Sequence, residues 1–249
     1  MLGLQTVGHS VLDLMFPPRC RLCGRWMNEE SSALCECCQA QIISEIAKPA
    51  CPRCAATLAP FEKTDAGCGE CRGEKLRITA TARVVTYRSG VGRILRGYKF
   101  HRREEVEPLL SELLLQAVLR APWRWQFEAV VPVPTIWHRR LWRATYPAET
   151  LAAAVARKLR VPCRHALRRI RGGPRQIDLT KAERHLNVLG AFVVEEDSFL
   201  EGRSLLLIDD IRTTGATLEE CARVLMKCGV GKVFAAVACG AEGETADWM

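Results

Sequence analysis

The spacing of the cysteines in the first third of the chain constrains the fold more than any other feature. Nine of the thirteen cysteines lie between Cys20 and Cys71, and eight of these nine form Cys-x-x-Cys pairs. The pairs are Cys20/Cys23, Cys35/Cys38, Cys51/Cys54 and Cys68/Cys71. Each pair can turn two thiolates toward one ion, and two pairs complete a tetrahedral four-thiolate zinc site. The spacing therefore predicts two zinc ions held by these eight cysteines.

The chemistry of these cysteines leaves three points open. Disulfides or plain buried thiols are the alternative to zinc, but disulfides suit secreted domains, and no signal peptide is expected because Asp13 interrupts the apolar N-terminal stretch. Four thiolates leave no position for water, so a structural ion is favoured over a catalytic one. Sequential pairing of neighbouring pairs is favoured over a cross-braced arrangement that joins the first pair to the third. Cys37 could replace a neighbouring ligand, although Cys35 and Cys38 keep the spacing of the other pairs.

Length and composition exclude some broad classes of protein. The chain has 249 residues, of which 48% are apolar and 26% are charged, which predicts one or two domains with a real core. The longest aliphatic runs, such as residues 205–208, are far shorter than the roughly 20 residues that span a bilayer, so a cytoplasmic protein without membrane insertion is expected. Residues 4–16 could form a short amphipathic helix that stops before Pro17, and docking on the protein's own surface is favoured over a membrane anchor.

From about Thr79 onward, the sequence alternates between strand and helix patterns. The predicted strands are residues 81–88, 127–133, 166–170, 190–194, 205–209 and 232–238. The predicted helices are residues 91–99, 104–120, 148–159 and about 215–228, the last of which ends before Gly229. This alternation predicts an α/β fold with a mostly parallel sheet and flanking helices, in which ligands bind at the carboxyl ends of the strands. We expect an N-terminal helix and metal-binding module over residues 1–76 and the α/β domain over residues 77–249.

The run LLLIDDIRTTGAT at residues 205–217 is the strongest local signal for a ligand. A buried strand ends in Asp209 and Asp210, a turn rich in hydroxyl groups and glycine follows, and a helix begins. Backbone N–H groups, threonine hydroxyls and the helix dipole can bind a phosphate there, and Gly215 permits close approach of the backbone. The two carboxylates can accept hydrogen bonds from a diol or face Mg²⁺. A P-loop is excluded because the Gly-Lys-Ser/Thr sequence is missing.

This run closely resembles the phosphoribosyl pyrophosphate (PRPP) motif of type I phosphoribosyltransferases. The resemblance implies that Asp209 and Asp210, the candidate catalytic pair, bind the ribose hydroxyls, that residues 213–217 bind the 5′-phosphate, and that Mg²⁺ accompanies PRPP. In related folds the loop after the strand that corresponds here to residues 127–133 binds pyrophosphate, and in this chain that loop is residues 134–140. The implied substrate-binding residues are Lys99, Thr135, Arg139, Arg140, Asp209, Asp210, Arg212, Thr213, Thr214, Gly215, Ala216 and Thr217. For Lys99 and each arginine, a solvated basic surface is the alternative.

The order of motifs along nearly the whole chain is similar to that of the ComF/GntX family. The four cysteine pairs are followed by GYKF at 97–100, VVPVP at 130–134, RHLNVLGAF at 184–192 and the PRPP motif. That family joins a double zinc ribbon to a type I phosphoribosyltransferase-like domain, and its best-known members support natural transformation, the uptake of single-stranded DNA. The resemblance implies PRPP or a phosphorylated nucleotide as ligand, and single-stranded DNA and proteins of the DNA-uptake machinery as partners. Residues 143–149 depart from the family pattern, because they lack an Asn-Gln pair and contain Pro147, which bears on loop closure and transfer.

Positive charge is concentrated in one stretch of the chain. Residues 139–175 contain eleven Lys and Arg and a single acid, Glu149, which gives +10, whereas the whole chain carries +8, so the remainder carries −2. Such a patch suggests an anionic partner. Single-stranded DNA would also use aromatic faces for base stacking, although core packing is the alternative for each tryptophan. The tryptophans considered for this role are Trp123, Trp125, Trp137 and Trp142.

Three functional hypotheses follow from these patterns. The favoured one is a ComF-type protein that binds PRPP and Mg²⁺ and supports the uptake or processing of single-stranded DNA. The second is an active PRPP-dependent transferase with an unknown acceptor, which would release pyrophosphate. The third is a PRPP-sensing regulator without catalysis, which would bind PRPP without releasing pyrophosphate or binding DNA.

Overall fold

The protein alternates strands and helices along most of its length. The computed structural model describes residues 18–27, 33–58, 67–69, 71–86, 89–90, 92, 106–135, 146–172, 181–195 and 198–240. The helices in this part of the chain are α1 (Glu36–Ile46), α2 (Glu107–Arg120), α3 (Pro147–Leu159), α4 (Lys181–Val188) and α5 (Ala216–Lys227). The strands are β1 (Ile78–Thr86), β2 (Ala129–Pro132), β3 (Leu167–Arg169), β4 (Phe192–Val194), β5 (Ser204–Arg212) and β6 (Lys232–Gly240). A short 3-10 turn covers Ser198–Leu200.

Four of these strands form a parallel sheet in the order β1-β6-β5-β2. The two central strands are covered on both faces, so they carry nearly continuous apolar runs, as buried parallel strands do. Alternate residues of β5 point to opposite faces: Leu206 and Ile208 enter one core, and Leu205 and Leu207 enter the other. The predicted α/β fold with a mostly parallel sheet is therefore confirmed.

Helices cover both faces of this sheet. On one face, α2 and α3 contribute side chains such as Leu114 and Val155, which have no exposed surface. On the other face, α5 packs through Leu218, Cys221 and Leu225 at helical spacing. The helix α5 ends at Lys227 with Cys228 as its C-cap, and Gly229 follows with a φ of 87°, the left-handed value expected of a residue just past a helix, so the predicted end of this helix before Gly229 is confirmed. Among the helices of the described residues, none combines the length and apolar character that crossing a membrane requires.

Several elements differ from the sequence-based expectation. The strands predicted at 166–170 and 190–194 exist in shortened form, but β3 and β4 pair antiparallel with each other outside the parallel sheet. Two helices, α1 and α4, were not predicted. The strand β5 continues through Arg212 and so includes both aspartates instead of ending before the turn. The helices predicted at 4–16 and 91–99 lie outside the described residues, apart from Gly92.

Pro147, one of the departures from the family pattern within residues 143–149, has a structural role at the start of α3. Pro147 is the first residue of this helix, and Tyr146 precedes it with an extended backbone. The first N–H groups of a helix have no partner within the helix, so proline is well suited to this position. Pro147 therefore begins a helix whose later residues, Leu151 and Val155, are fully buried. The division of the chain at residues 76 and 77 stays a prediction.

Candidate phosphate site and metal centres

The eight paired cysteines form two separate clusters. One contains the first two Cys-x-x-Cys pairs and the other contains the last two, and within each cluster the sulfurs lie within 4.8 Å of one another. We call them the first cluster (Cys20, Cys23, Cys35 and Cys38) and the second cluster (Cys51, Cys54, Cys68 and Cys71). The predicted sequential pairing is confirmed. Cys37 is exposed and belongs to neither cluster of the described residues.

The distances between the sulfurs fit a tetrahedral zinc site. With Zn–S bonds of about 2.3 Å, sulfurs at the corners of a tetrahedron are about 3.8 Å apart. The Sγ atoms of Cys23 and Cys35 are 3.7 Å apart. In the second cluster, Sγ of Cys51 lies 3.7 Å from that of Cys71, and Sγ of Cys54 lies 3.4 Å from that of Cys68. Both clusters therefore have the geometry of structural four-thiolate sites, in which the four sulfurs occupy every coordination position and leave none for water or substrate.

Backbone N–H groups around the second cluster favour the thiolate form of one of its ligands, Cys51. Burial opposes ionisation of Cys51, but backbone N–H groups of Cys54, Cys68 and Arg53 donate to its sulfur and lower its pKa to about 7. The N–H of Cys68 lies 3.3 Å from this sulfur. Close packing also requires Gly67, because a Cβ at this position would lie 2.6 Å from Sγ of Cys71. The absence of a side chain at Gly67 thus leaves room for the cysteine sulfurs at the centre of the cluster.

The predicted phosphate site lies where β5 meets α5. Asp210 is buried and Asp209 is half-buried, and each carboxylate accepts a hydrogen bond of 2.8 Å from the N–H of the next residue. Gly215 has a φ of 85° and occupies the N-cap position of α5, without a capping side chain. We call residues 209–217 the phosphate loop. The turn directs the positive end of α5 toward the edge of the sheet where the two aspartates lie.

The neighbouring strand brings a second segment to the same edge of the sheet. The N–H of Val133, just after β2, donates to the carbonyl oxygen of Ile208 over 2.9 Å. The chain beyond it, which includes the half-buried Thr135, therefore leaves the sheet next to the phosphate loop. The other predicted members of this segment, Arg139 and Arg140, lie outside the described residues, and so does Lys99.

The second cluster faces the phosphate loop across a small cavity, an arrangement that the sequence did not predict. A cavity of about 50 Å³ separates the two. Its lining includes Arg53, Cys54 and Cys71 on one side and Arg212, Thr214 and Gly215 on the other. Burial raises the pKa of the Cys54 thiol, and the positive charge of Arg212 acts in the opposite direction. No periodicity or spacing signals a contact between segments that lie about 150 residues apart in the chain.

Hydrogen bonds of backbone and side-chain groups fix the second cluster to the sheet and to α5. The N–H of Thr81 in β1 donates to the carbonyl oxygen of Pro52 over 3.0 Å, and its hydroxyl donates to that of Arg53 over 2.8 Å. In α5, the Glu219 carboxylate accepts the N–H of Arg77 over 2.7 Å. The second cluster is thereby connected both to the edge strand and to the helix that follows the phosphate loop.

Part of the described basic stretch lies on β3 and the residues around it, whereas Arg157, Lys158 and Arg160 lie at the end of α3. Arg168 is exposed and donates to Glu195 over 3.1 Å, and Arg169 lies over the ring of Phe192, 5.3 Å from its centre. Arg164 and Arg203 both lie over Phe199, at 4.5 and 4.1 Å from the ring centre. Several arginines therefore lie on aromatic faces, which holds their charges at the surface in defined positions.

The tryptophans considered as stacking platforms fall into different environments. Trp123 is buried and stacks on Phe234, with ring centres 4.9 Å apart, so it is a packing residue. Trp125 has 69% of its surface exposed. Trp137 and Trp142 lie outside the described residues.

Comparison with known proteins finds relatives of both parts of the chain. The model of a double zinc ribbon domain matches residues 11–72, and that of a phosphoribosyl transferase domain matches residues 146–248. Competence protein F of Haemophilus influenzae is 29% identical over 222 residues, which cover 86% of this chain and 93% of that protein. DNA utilization protein YhgH of Escherichia coli is 29% identical over 227 residues, covering 88% of this chain and 96% of that protein. The protein of the same name from Salmonella typhimurium is 27% identical over 225 residues.

Proposed function

Because the chain is a ComF-type protein of the phosphoribosyltransferase family, with a double zinc ribbon ahead of its transferase domain, we propose that it binds PRPP together with Mg²⁺ at the phosphate loop. In this proposal Asp209 and Asp210 accept hydrogen bonds from the two ribose hydroxyls. Residues 213–217 bind the 5′-phosphate through backbone N–H groups and threonine hydroxyls. Mg²⁺ neutralises the pyrophosphate.

The observation that carries this proposal is the placement of the aspartate pair beside the start of α5. A helix of twelve residues directs its positive end at the carboxyl edge of the sheet, and Gly215 keeps a side chain out of the turn. The two aspartates precede this turn in the same strand and are held by the N–H groups that follow them. One edge of the sheet thus offers donors for a phosphate and acceptors for a diol within nine residues, 209–217.

Replacement of both aspartates tests the site. We expect Asp209→Asn with Asp210→Asn to weaken PRPP binding at least about 100-fold, because each carboxylate supplies a charge-assisted hydrogen bond worth about 1.5–3 kcal/mol. Calorimetric titration with PRPP and Mg²⁺ measures the affinity. The matched control is Glu112→Gln with Glu128→Gln, which removes two exposed carboxylates far from this edge. Equal affinity of the aspartate variant and the control would refute the site.

We further propose that the basic surface of β3 binds single-stranded DNA, so that the protein acts in DNA uptake or processing, as the names of its relatives suggest. The surface lies near the phosphate loop: the N–H of Gly190, in the turn between α4 and β4, donates to Glu220 of α5 over 2.7 Å. Exposed arginines attract phosphates without sequence preference. The PRPP site and the DNA-binding surface would then both be in contact with α5.

Charge reversal tests the DNA surface. Arg168→Glu with Arg169→Glu should weaken the binding of a single-stranded oligonucleotide and lower the slope of log affinity against log salt by about 1.4, because two phosphate contacts are lost. Fluorescence anisotropy at several salt concentrations measures both quantities. The matched control is Arg120→Glu with Arg124→Glu, two exposed arginines at the end of α2 and in the turn that follows it. If the two variants weaken binding equally, the attraction is non-local and β3 is not the interface.

A further inference from the structure

The second cluster and the phosphate loop share the guanidinium group of Arg212. If a Cβ were present on Gly215, it would lie 3.0 Å from Nε and 3.1 Å from Nη2 of Arg212, so this side chain packs closely over the glycine of the loop. The same side chain lines the cavity that Cys54 and Cys71 line from the other side. Arg212 is therefore in contact with the turn that begins α5 and faces the sulfur ligands of the second cluster.

The charge of a zinc-bound cluster explains why a cation belongs in this position. One Zn²⁺ with four thiolates carries a net charge of −2, and such a charge away from water needs positive neighbours or N–H donors. Among the described residues, the charged groups that line the cavity are Arg53, Arg212, Glu74 and Glu219. Glu219 is committed to the N–H groups of Arg77 and Ile78, at 2.7 and 3.4 Å. Of the two lining cations, Arg53 belongs to the cluster loop itself and Arg212 belongs to the phosphate loop.

We propose that Arg212 is a positioning residue through which the second cluster sets the conformation of the phosphate loop. Attraction to the metal-bound cluster holds the guanidinium over Gly215, and this contact keeps the turn in the shape that binds a phosphate. Loss of the metal releases Arg212 and lowers the affinity for phosphorylated ligand. The reverse must also hold, because coupling between two sites is reciprocal: bound ligand retains the metal more tightly. This inference rests on the proposed PRPP site.

The first test compares loss of each metal site. Cys68→Ser removes a ligand of the second cluster that does not itself line the cavity, and Cys23→Ser removes a ligand of the first cluster. We expect Cys68→Ser to weaken PRPP binding about 5-fold or more in calorimetric titration, and Cys23→Ser to leave it unchanged. Zinc content by native mass spectrometry should fall from two ions to one in both variants. Circular dichroism identifies any variant that has lost its fold.

The second test separates positioning from direct ligand contact and does not depend on the fold of a cysteine variant. Arg212→Leu should weaken PRPP binding while both zinc ions remain, and Arg212→Lys, which keeps the charge, should restore part of the affinity. If Arg212 acts through the cluster, the double variant Arg212→Leu with Cys68→Ser binds PRPP no more weakly than the weaker single variant. Additive losses would mean that Arg212 touches the ligand independently of the metal.

A spectroscopic readout reports on the second cluster directly. In the Cys23→Ser background, Co²⁺ occupies only one full four-thiolate site, and its thiolate-to-metal absorption responds to nearby charge. Adding PRPP and Mg²⁺ should shift this absorption, and Arg212→Leu should abolish the shift. An unmoved spectrum, together with equal PRPP affinity in Cys68→Ser and the wild type, overturns the inference and leaves the proposed site standing. No PRPP binding by the zinc-replete wild type overturns both.

Discussion

At the scale of single residues, a buried carboxylate on α5 holds together parts of the molecule that lie far apart in sequence. Only 5% of Glu220 is exposed, and its oxygens accept two hydrogen bonds of 2.7 Å from the guanidinium of Arg223. A third hydrogen bond of 2.7 Å comes from the N–H of Gly190. Burial opposes the charged form, but these donors outweigh it and lower the pKa of Glu220. The carboxylate thus fixes the turn before β4 against α5.

We expect Glu220→Gln to reduce the free energy of unfolding by about 1–3 kcal/mol at neutral pH, because a buried charge-assisted network loses its acceptor. Since the folded-state pKa is lowered, this contribution is present above the ordinary carboxyl pKa of about 4.3 and is lost as the pH falls through the folded value. Denaturant unfolding from pH 7 to pH 3 measures it. The exposed Glu112→Gln is the control and should change stability by less than about 1 kcal/mol. A constant difference between Glu220→Gln and wild type down to pH 3 would contradict the assignment.

Gly215 offers a second test at this scale. Gly215→Ala should cost about 1–2 kcal/mol of stability because of its positive φ, and it should also weaken PRPP binding, because the new Cβ crowds Arg212. Gly202→Ala is the matched control: its φ is 71°, but nothing lies within 4 Å of the added carbon. Both variants should lose similar stability in denaturant unfolding. Only Gly215→Ala should lose affinity in calorimetry, and equal affinity would mean that the turn tolerates a side chain.

At the scale of secondary-structure elements, the sequence predicted those strands and helices whose positions are determined by their own residues. The strands β5 and β6 were expected because long apolar runs without helical spacing suit buried parallel strands. The start of α5 was expected from the glycine and threonine turn before it. The antiparallel pairing of β3 with β4 was not expected, because three residues are too few for a hydrophobic pattern that shows which sheet a strand joins. The helix α1 was missed although Cys38 and Ile42 are buried one turn apart, because the cysteines there were interpreted only as ligands.

Two tryptophans in the segment between α2 and β2 allow a core residue to be compared with a surface residue. Trp123→Ala should reduce the free energy of unfolding by about 3–5 kcal/mol, because the indole fills the core against Phe234 and Phe127. Trp125→Ala should change it by less than about 0.5 kcal/mol, because its ring is mostly exposed. Thermal and denaturant unfolding compare the two variants. A similar loss in both would mean that Trp125 packs against a part of the protein that the described residues do not include.

At the scale of the whole molecule, the two metal clusters stabilise different regions. Cys20 and Cys38 of the first cluster pack into the same core as Val84 and Val85 of β1, whereas the second cluster borders the phosphate loop. The sequence could predict both clusters, since ligand spacing is local information. It could not predict which part of the α/β domain each cluster supports, because that depends on how distant segments pack.

We therefore expect Cys20→Ser to leave one zinc per chain and to lower the melting temperature, since a structural metal site contributes folding free energy directly. Cys37→Ser is the control: its side chain is exposed and lies outside both clusters, so two zinc ions and an unchanged melting temperature are expected. Native mass spectrometry and differential scanning calorimetry measure the two quantities. Loss of zinc in Cys37→Ser would instead assign that residue to the first cluster.

The strand order has a consequence for how the chain folds as it is synthesised. The strand β6 lies between β1 and β5, although it is the last of the described strands to leave the ribosome. Its pairing with β1 joins residues such as Ile78 and Val233 that are far apart in sequence, and contacts of this kind slow folding. Until β6 inserts, the edge strand β1, to which the second cluster is hydrogen-bonded, has no partner in the parallel sheet that connects it to β5. The metal site and the phosphate loop therefore come from separate halves of the nascent chain, and the sheet that joins them is complete only when β6 has inserted.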